Sequence, residues 1–134
     1  VLRYGFSEKY DAHCDYFNPW QYQTSTDVLE SISNGDRNRH ATVFWYLTNV
    51  EEGGETYFPR AGGLPHPQNL VGCHETGLQV KPEKGKVIIF YNMLPDGNID
   101  EYSLHAACPV KKGIKWAANK WVWNLPTPYA EDYD

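Results

Sequence analysis

Apolar residues in this chain come in short β-branched and aromatic runs, and nowhere do they recur every 3.6 residues over three turns. That pattern excludes a helical bundle and leaves short strands joined by turns. The runs Val1–Tyr4, Tyr10–Asp15, His40–Leu47, Thr56–Phe58, Leu78–Val80, Lys86–Tyr91, Leu104–Val110 and Lys115–Trp123 read as strands. Gly53-Gly54, Gly62-Gly63, Gly85, Gly97 and Gly113 supply the turn chemistry between them. Thr26–Ile32 could form a short helix capped by Thr26 or Asp27. The 134 residues suffice for one domain with its own core. The predicted class is all-β, a sandwich or barrel of the jelly-roll type. Two long connections interrupt it, Phe17–Arg39 and Pro59–Gly77, and connections of that length usually carry function.

A formal charge of −5 argues against a nucleic-acid or anionic-membrane surface, since both want clustered Lys and Arg. No apolar run reaches the ~20 residues of a membrane span. The chain opens on Val1, inside an expected strand, so it reads as a trimmed piece without a signal peptide. Residues 1–126 read as one domain and 127–134 as an acidic tail. Three cysteines give one possible pair and one leftover thiol, a hint of an oxidising compartment.

Two histidines and one carboxylate, His13, Asp15 and His105, form the ligand set of a facial-triad iron(II) site. His13 and Asp15 are two apart on an expected strand, which would send both side chains to one face. Alone, His-x-Asp is weak, because chance copies are common. Ten residues after His105 stands Lys115, which alternation places on one strand face with Ala117, Asn119, Trp121 and Trp123. A lysine among core residues is costly unless an anion meets it. The bland alternative is a lysine capping the sheet edge, with Lys120 as its solvent twin. Phe44, Trp45, Tyr46, Phe90 and Tyr91 read as core.

The order Tyr4, Tyr10-x-x-His13-x-Asp15-Tyr-Phe, Arg39-x-x-Thr42, Tyr46-Leu, Gly53-Gly-Glu-Thr56, Ser103-Leu-His105, Cys108-Pro and Gly113-x-Lys115-Trp resembles the catalytic domain of prolyl 4-hydroxylases, of the plant, algal and transmembrane types. The resemblance runs from Val1 to about Pro126. It implies a double-stranded β-helix whose supporting N-terminal elements lie ahead of Val1. It implies an iron(II)- and 2-oxoglutarate-dependent dioxygenase that hydroxylates peptidyl proline at C4, releasing succinate and CO2, with O2 and ascorbate as further requirements. The partner would be a proline-containing peptide or protein, with the endoplasmic reticulum lumen or secretory pathway as its place.

Carried over by position, His13, Asp15 and His105 would hold iron. Lys115 would pair with the distal carboxylate of 2-oxoglutarate, with Tyr4 and Thr56 contacting the same molecule. Tyr10, Arg39, Trp121 and Trp123 would line the peptide groove, although similar sequences often carry His at the position of Trp123. Trp20 and Tyr22 could extend that groove, or could simply pack their own loop. Cys73 and Cys108 stand where similar enzymes have a disulfide, and Cys14 would point away from the metal. Two alternatives stay open: a related hydroxylase acting on another side chain, and a truncated peptide-binding module without catalysis.

Overall fold

Turn residues decide where each strand stops. The computed structural model describes residues 1–126, and the acidic tail at 127–134 lies outside them. Along the described chain run β1 (Leu2–Tyr4), β2 (Tyr10–His13), α1 (Thr26–Ser31), β3 (Arg39–Tyr46), β4 (Glu52–Gly53), β5 (Thr56–Phe58), β6 (Leu78–Val80), β7 (Val87–Tyr91), β8 (His105–Ala107), β9 (Val110–Lys112) and β10 (Lys115–Trp123). Short 3-10 turns at Pro19–Tyr22, Ser33–Gly35 and Glu101–Ser103 complete the chain. The all-β expectation holds, and the short helix forms where expected, but neither Thr26 nor Asp27 caps it: the N-cap is Ser25, without a side-chain cap bond, and both residues lie in the first turn.

Two antiparallel four-stranded sheets, ordered β1-β10-β3-β7 and β2-β8-β5-β6, face each other as a double-stranded β-helix. Register fixes their inner faces. Ala117 pairs with Tyr46, Asn119 with Phe44, and Trp121 with Thr42, so alternation sends all six inward with Lys115. The interior is unusual in being polar: Asp15, Thr42, Thr56, Asn92, His105 and Lys115 are all buried. A buried polar group without a partner costs free energy. This barrel therefore encloses a site where most domains place a hydrophobic core.

The two outer faces differ. Behind the second sheet Tyr57, Ala106 and Cys108 form a buried cluster with Ala12 and Cys73 packed on it. The long 59–77 connection covers that cluster, because Cys73 is bonded to Cys108 across 35 residues and Ala12 N–H donates to the Leu70 carbonyl at 3.1 Å. Behind the first sheet, Val87, Ile89, Tyr91, Trp116 and Val122 all remain exposed. Tyr91 is thus a correction to the expected core. It sits on the outer side of β7 at 60% exposure, while its neighbour Phe90 turns in.

A two-stranded ribbon, β4 with β9, closes the end of the barrel next to Lys115. Gly53 has φ +78°, and a Cβ there would lie 2.2 Å from the Pro109 carbonyl oxygen and 2.8 Å from Lys111 N. Both obstacles are backbone, so nothing can yield cheaply. Gly53→Ala is expected to destabilise the domain by about 2 kcal/mol or more, from strain at positive φ plus the clash. Chemical denaturation checks it; an unchanged midpoint would show that the ribbon can separate without cost.

Candidate metal centre and cosubstrate cavity

His13 ends β2, His105 begins β8, and the two residues are directly paired across the sheet. Pairing therefore does what sequence spacing could not: it brings side chains 92 positions apart to ring centroids 4.4 Å from each other. Asp15 arrives differently from the expected strand alternation. The strand stops at His13, and Asp15 lies in the bend beyond it. Its carboxylate is drawn inward by Thr42, whose hydroxyl donates to Oδ2 at 2.6 Å, and by Trp121 Nε1–H at 3.2 Å. The other oxygen, Oδ1, lies 3.6 Å from His13 Nε2 and 3.8 Å from His105 Nε2. One ligand atom from each of the three residues falls within 4.8 Å of the others.

Tautomers are set from behind. His13 Nδ1 lies 2.8 Å from the Asp11 carbonyl oxygen, and His105 Nδ1 lies 2.8 Å from that of Ser103. A carbonyl only accepts, so each Nδ1 carries the proton and each Nε2 presents a lone pair to the centre. Burial pushes the His105 imidazole down to about 4, against the pull of Asp15, so it stays neutral at physiological pH. Burial alone would raise the Asp15 carboxyl. His13, His105, Thr42 and Trp121 outweigh it and hold the group well below the usual carboxylate range. One carboxylate oxygen and two imidazole Nε2 atoms converging on a point form a cation site with open positions.

A cavity of about 790 Å³ opens from this centre toward Lys115. Lys115 is 1% exposed, and its Nζ has no hydrogen-bond partner among the described residues. Three rings surround the ammonium, Tyr4, Phe44 and Tyr46, with centroids 5.4–5.7 Å away. Burial drives its pKa down to about 8, with Glu55 opposing. The edge-capping alternative for Lys115 is thereby excluded, whereas Lys120 is exposed as expected. Thr56 lines the same end and accepts a hydrogen bond from the Tyr46 hydroxyl at 2.6 Å. Tyr46 reads as plain core in the sequence; burial pushes its phenol up to about 12, so it remains a donor.

At the other end, Arg39 is sandwiched between rings, 3.5 Å from the Trp121 centroid and 4.2 Å from that of Phe17. Tyr10, Arg39, Trp121 and Tyr22 line the cavity. Tyr10 does so because β2 carries one extra residue between Tyr10 and His13, so both rings turn inward, 4.2 Å apart. Trp123 does not line it. The pairing of β10 with β3 slips between Val122 and Trp123, and the indole is diverted to stack on Phe17 at 6.2 Å. Trp20 is 80% exposed on its loop and stands outside the cavity. Cys14 keeps a free thiol and is absent from the ligand cluster.

A family model for the 2OG-Fe(II) oxygenase superfamily matches residues 1–123. Among curated relatives from Arabidopsis thaliana, probable prolyl 4-hydroxylase 10 is 44% identical over 126 residues, covering 91% of this chain and 40% of that protein. Probable prolyl 4-hydroxylase 9 is 43% identical over 122 residues, covering 91% and 39%. Among solved structures, the viral collagen prolyl hydroxylase of Paramecium Bursaria Chlorella virus-1, in its 2OG complex, superposes with a TM-score of 0.65 at 29% identity. That match covers 92% of this chain and 55% of the viral one. The chain thus spans about two fifths of the length of the curated relatives it matches.

Proposed function

Because this chain belongs to the 2OG-Fe(II) oxygenase superfamily, we propose that it hydroxylates peptidyl proline at C4, consuming 2-oxoglutarate and O2 and releasing succinate and CO2. One observation carries the reading: a fully buried ammonium, unpartnered among the described residues, shares a cavity with a two-histidine, one-carboxylate cluster. An unpaired buried charge is retained only where something compensates it. The distal carboxylate of a dicarboxylic cosubstrate is such a partner.

His13, Asp15 and His105 would hold iron(II), whose donor set of two imidazoles and one carboxylate suits that ion. When bound, the metal supplies oxygen activation coupled to oxidative decarboxylation of 2-oxoglutarate. The chain's own residues do the rest. Lys115 orients the cosubstrate by a charge-assisted bond, and Thr56, held as acceptor by Tyr46, keeps its own proton to donate. Tyr4 is half-buried beside them, its phenol raised by burial and by Tyr10, and so stays a donor. Buried walls keep bulk water from the reacting end. At the mouth, the rings of Tyr10 and Trp121, with Arg39 between Trp121 and Phe17, suit an extended proline-rich segment, which docks on aromatic surfaces at low ordering cost.

The names of the relatives support proline over other side chains. Ascorbate is proposed as the reductant that keeps the metal ferrous. A secretory compartment such as the endoplasmic reticulum lumen is proposed on the Cys73–Cys108 disulfide. Among the described residues no helix is long and apolar enough to cross a membrane. The test is succinate production with iron and ascorbate, with a proline-rich peptide, a lysine peptide and no peptide. Turnover should rise with the proline peptide alone, and His13→Ala should abolish it. Stimulation by the lysine peptide would move the substrate to another side chain, and full activity in His13→Ala would remove the ligand assignment.

A further inference from the structure

Resting on the metal-site reading above, we propose that Thr42, Trp121 and Asn92 are positioning residues that make Asp15 a one-oxygen ligand. Two donors, Thr42 Oγ1 at 2.6 Å and Trp121 Nε1 at 3.2 Å, both terminate on Oδ2. Only Oδ1 is left facing the two histidine nitrogens. The carboxylate follows β2 in a bend, so strand pairing does not orient it. Its rotation about χ2 is set by these side chains, which come from β3 and β10 of the opposite sheet.

The hydrogen-bond directions form a relay. Asp15 is ionised and only accepts, so the single proton of Thr42 must point to it. Thr42 can then only accept from Asn92, whose Nδ2 lies 2.9 Å away. That fixes the amide orientation without further assumption. It also leaves Asn92 Oδ1 buried without a partner among the described residues. Asn92 is 0% exposed and Thr42 is 1% exposed. A buried half-satisfied amide is destabilising compared with an apolar residue of similar size. Its presence fits a role in holding the Thr42 hydroxyl, which packing alone does not need.

The same indole that braces Asp15 carries the Arg39 guanidinium on its face at 3.5 Å. Trp121 therefore belongs to the metal centre as much as to the groove for which its sequence position suggests it.

The test titrates cobalt(II) into the protein and reads affinity together with the d–d absorption envelope, neither of which requires turnover. Thr42→Val removes the hydroxyl at nearly constant volume and is expected to weaken cobalt binding about 10- to 100-fold, with an altered envelope. Thr42→Ser should restore both. Trp121→Phe, on a part-exposed side chain, should shift both in the same direction by a smaller factor. Wild-type affinity and an unchanged envelope in Thr42→Val and Trp121→Phe would overturn the proposal while leaving the metal site standing. Failure of the wild type to bind cobalt would overturn the metal reading, and this one with it.

Discussion

Lys115→Met should abolish 2-oxoglutarate binding and at the same time make the ligand-free protein more stable. The two effects have one cause. In the free protein the ammonium is buried among three rings with no hydrogen-bond partner among the described residues, and burial has lowered its pKa to about 8 from an ordinary 10.5. The unfolded chain therefore holds this proton more tightly than the folded one. Stability must then rise with pH between about 8 and 10.5, and the full penalty is present below 8. Replacing the charge with an apolar side chain of similar length removes a penalty of about 3 kcal/mol at most. A gain of roughly 5–10 °C in thermal midpoint at pH 7 is expected. Binding runs the other way. A distal carboxylate entering the Lys115→Met variant would be buried unpaired, at a cost of about 3–5 kcal/mol, which is more than a hundredfold in affinity. In the wild type, 2-oxoglutarate affinity should fall as pH rises through 8, because only the protonated lysine pairs with it. Calorimetric titration of both proteins at pH 7 and 9 checks every part. A destabilised variant that still binds 2-oxoglutarate would mean that Lys115 is structural.

Loss of the Cys73–Cys108 disulfide should cost about 4 kcal/mol, from the chain entropy of a closed loop of this length. The bridge spans 35 residues and holds the 59–77 connection over the cluster of Tyr57 and Ala106. Cys108 lies three residues beyond His105, and the same connection hydrogen-bonds Ala12 beside His13. Loosening it frees both strands that carry the histidines. Cys73→Ala and Cys108→Ala variants should melt more than about 10 °C lower and bind metal more weakly, with the double variant no worse than either single one. The Arg60–Glu101 pair, Nη1 to Oε2 at 2.6 Å, is a second tether between the connection and the turn before His105. If thermal scans found no loss, that tether and the backbone contacts would be enough to hold the loop.

Much of this architecture is legible in the sequence. Glycine turns locate the strands, because positive φ leaves few residue choices, and the residues that the family resemblance singles out, His13, Asp15, His105 and Lys115, come together around one cavity. What escapes is local irregularity. The slips at Tyr10–His13 and Val122–Trp123 have no residue signature, so alternation wrongly puts Trp123 on the inward face with Lys115 and says nothing of how Tyr10 and His13 come to share a face. Asp15 escapes alternation too, because its strand stops two residues short of it. Tyr91 is misread because an apolar run in a sheet does not say which of its faces is covered. The joint role of Asn92 and Thr42 is hidden for a similar reason: a polar residue inside a strand looks the same whether it faces solvent or a carboxylate.

The extra residue in β2 has a consequence for how this site can change. Tyr10 and His13 pair with Ala107 and His105, two positions that share one face of β8, so the partner strand alone decides that both rings point inward. Two residues then fill the space where regular pairing would allow one, and each has its own task. The Asp11 carbonyl holds the His13 tautomer, and Ala12 ties down the 59–77 connection. Losing either residue would leave the aromatic wall and the ligand in place but take away one of these supports. A change of length in this segment is therefore expected to cost more than exchange of the side chain at position 10, which leaves the His13–His105 pairing in register.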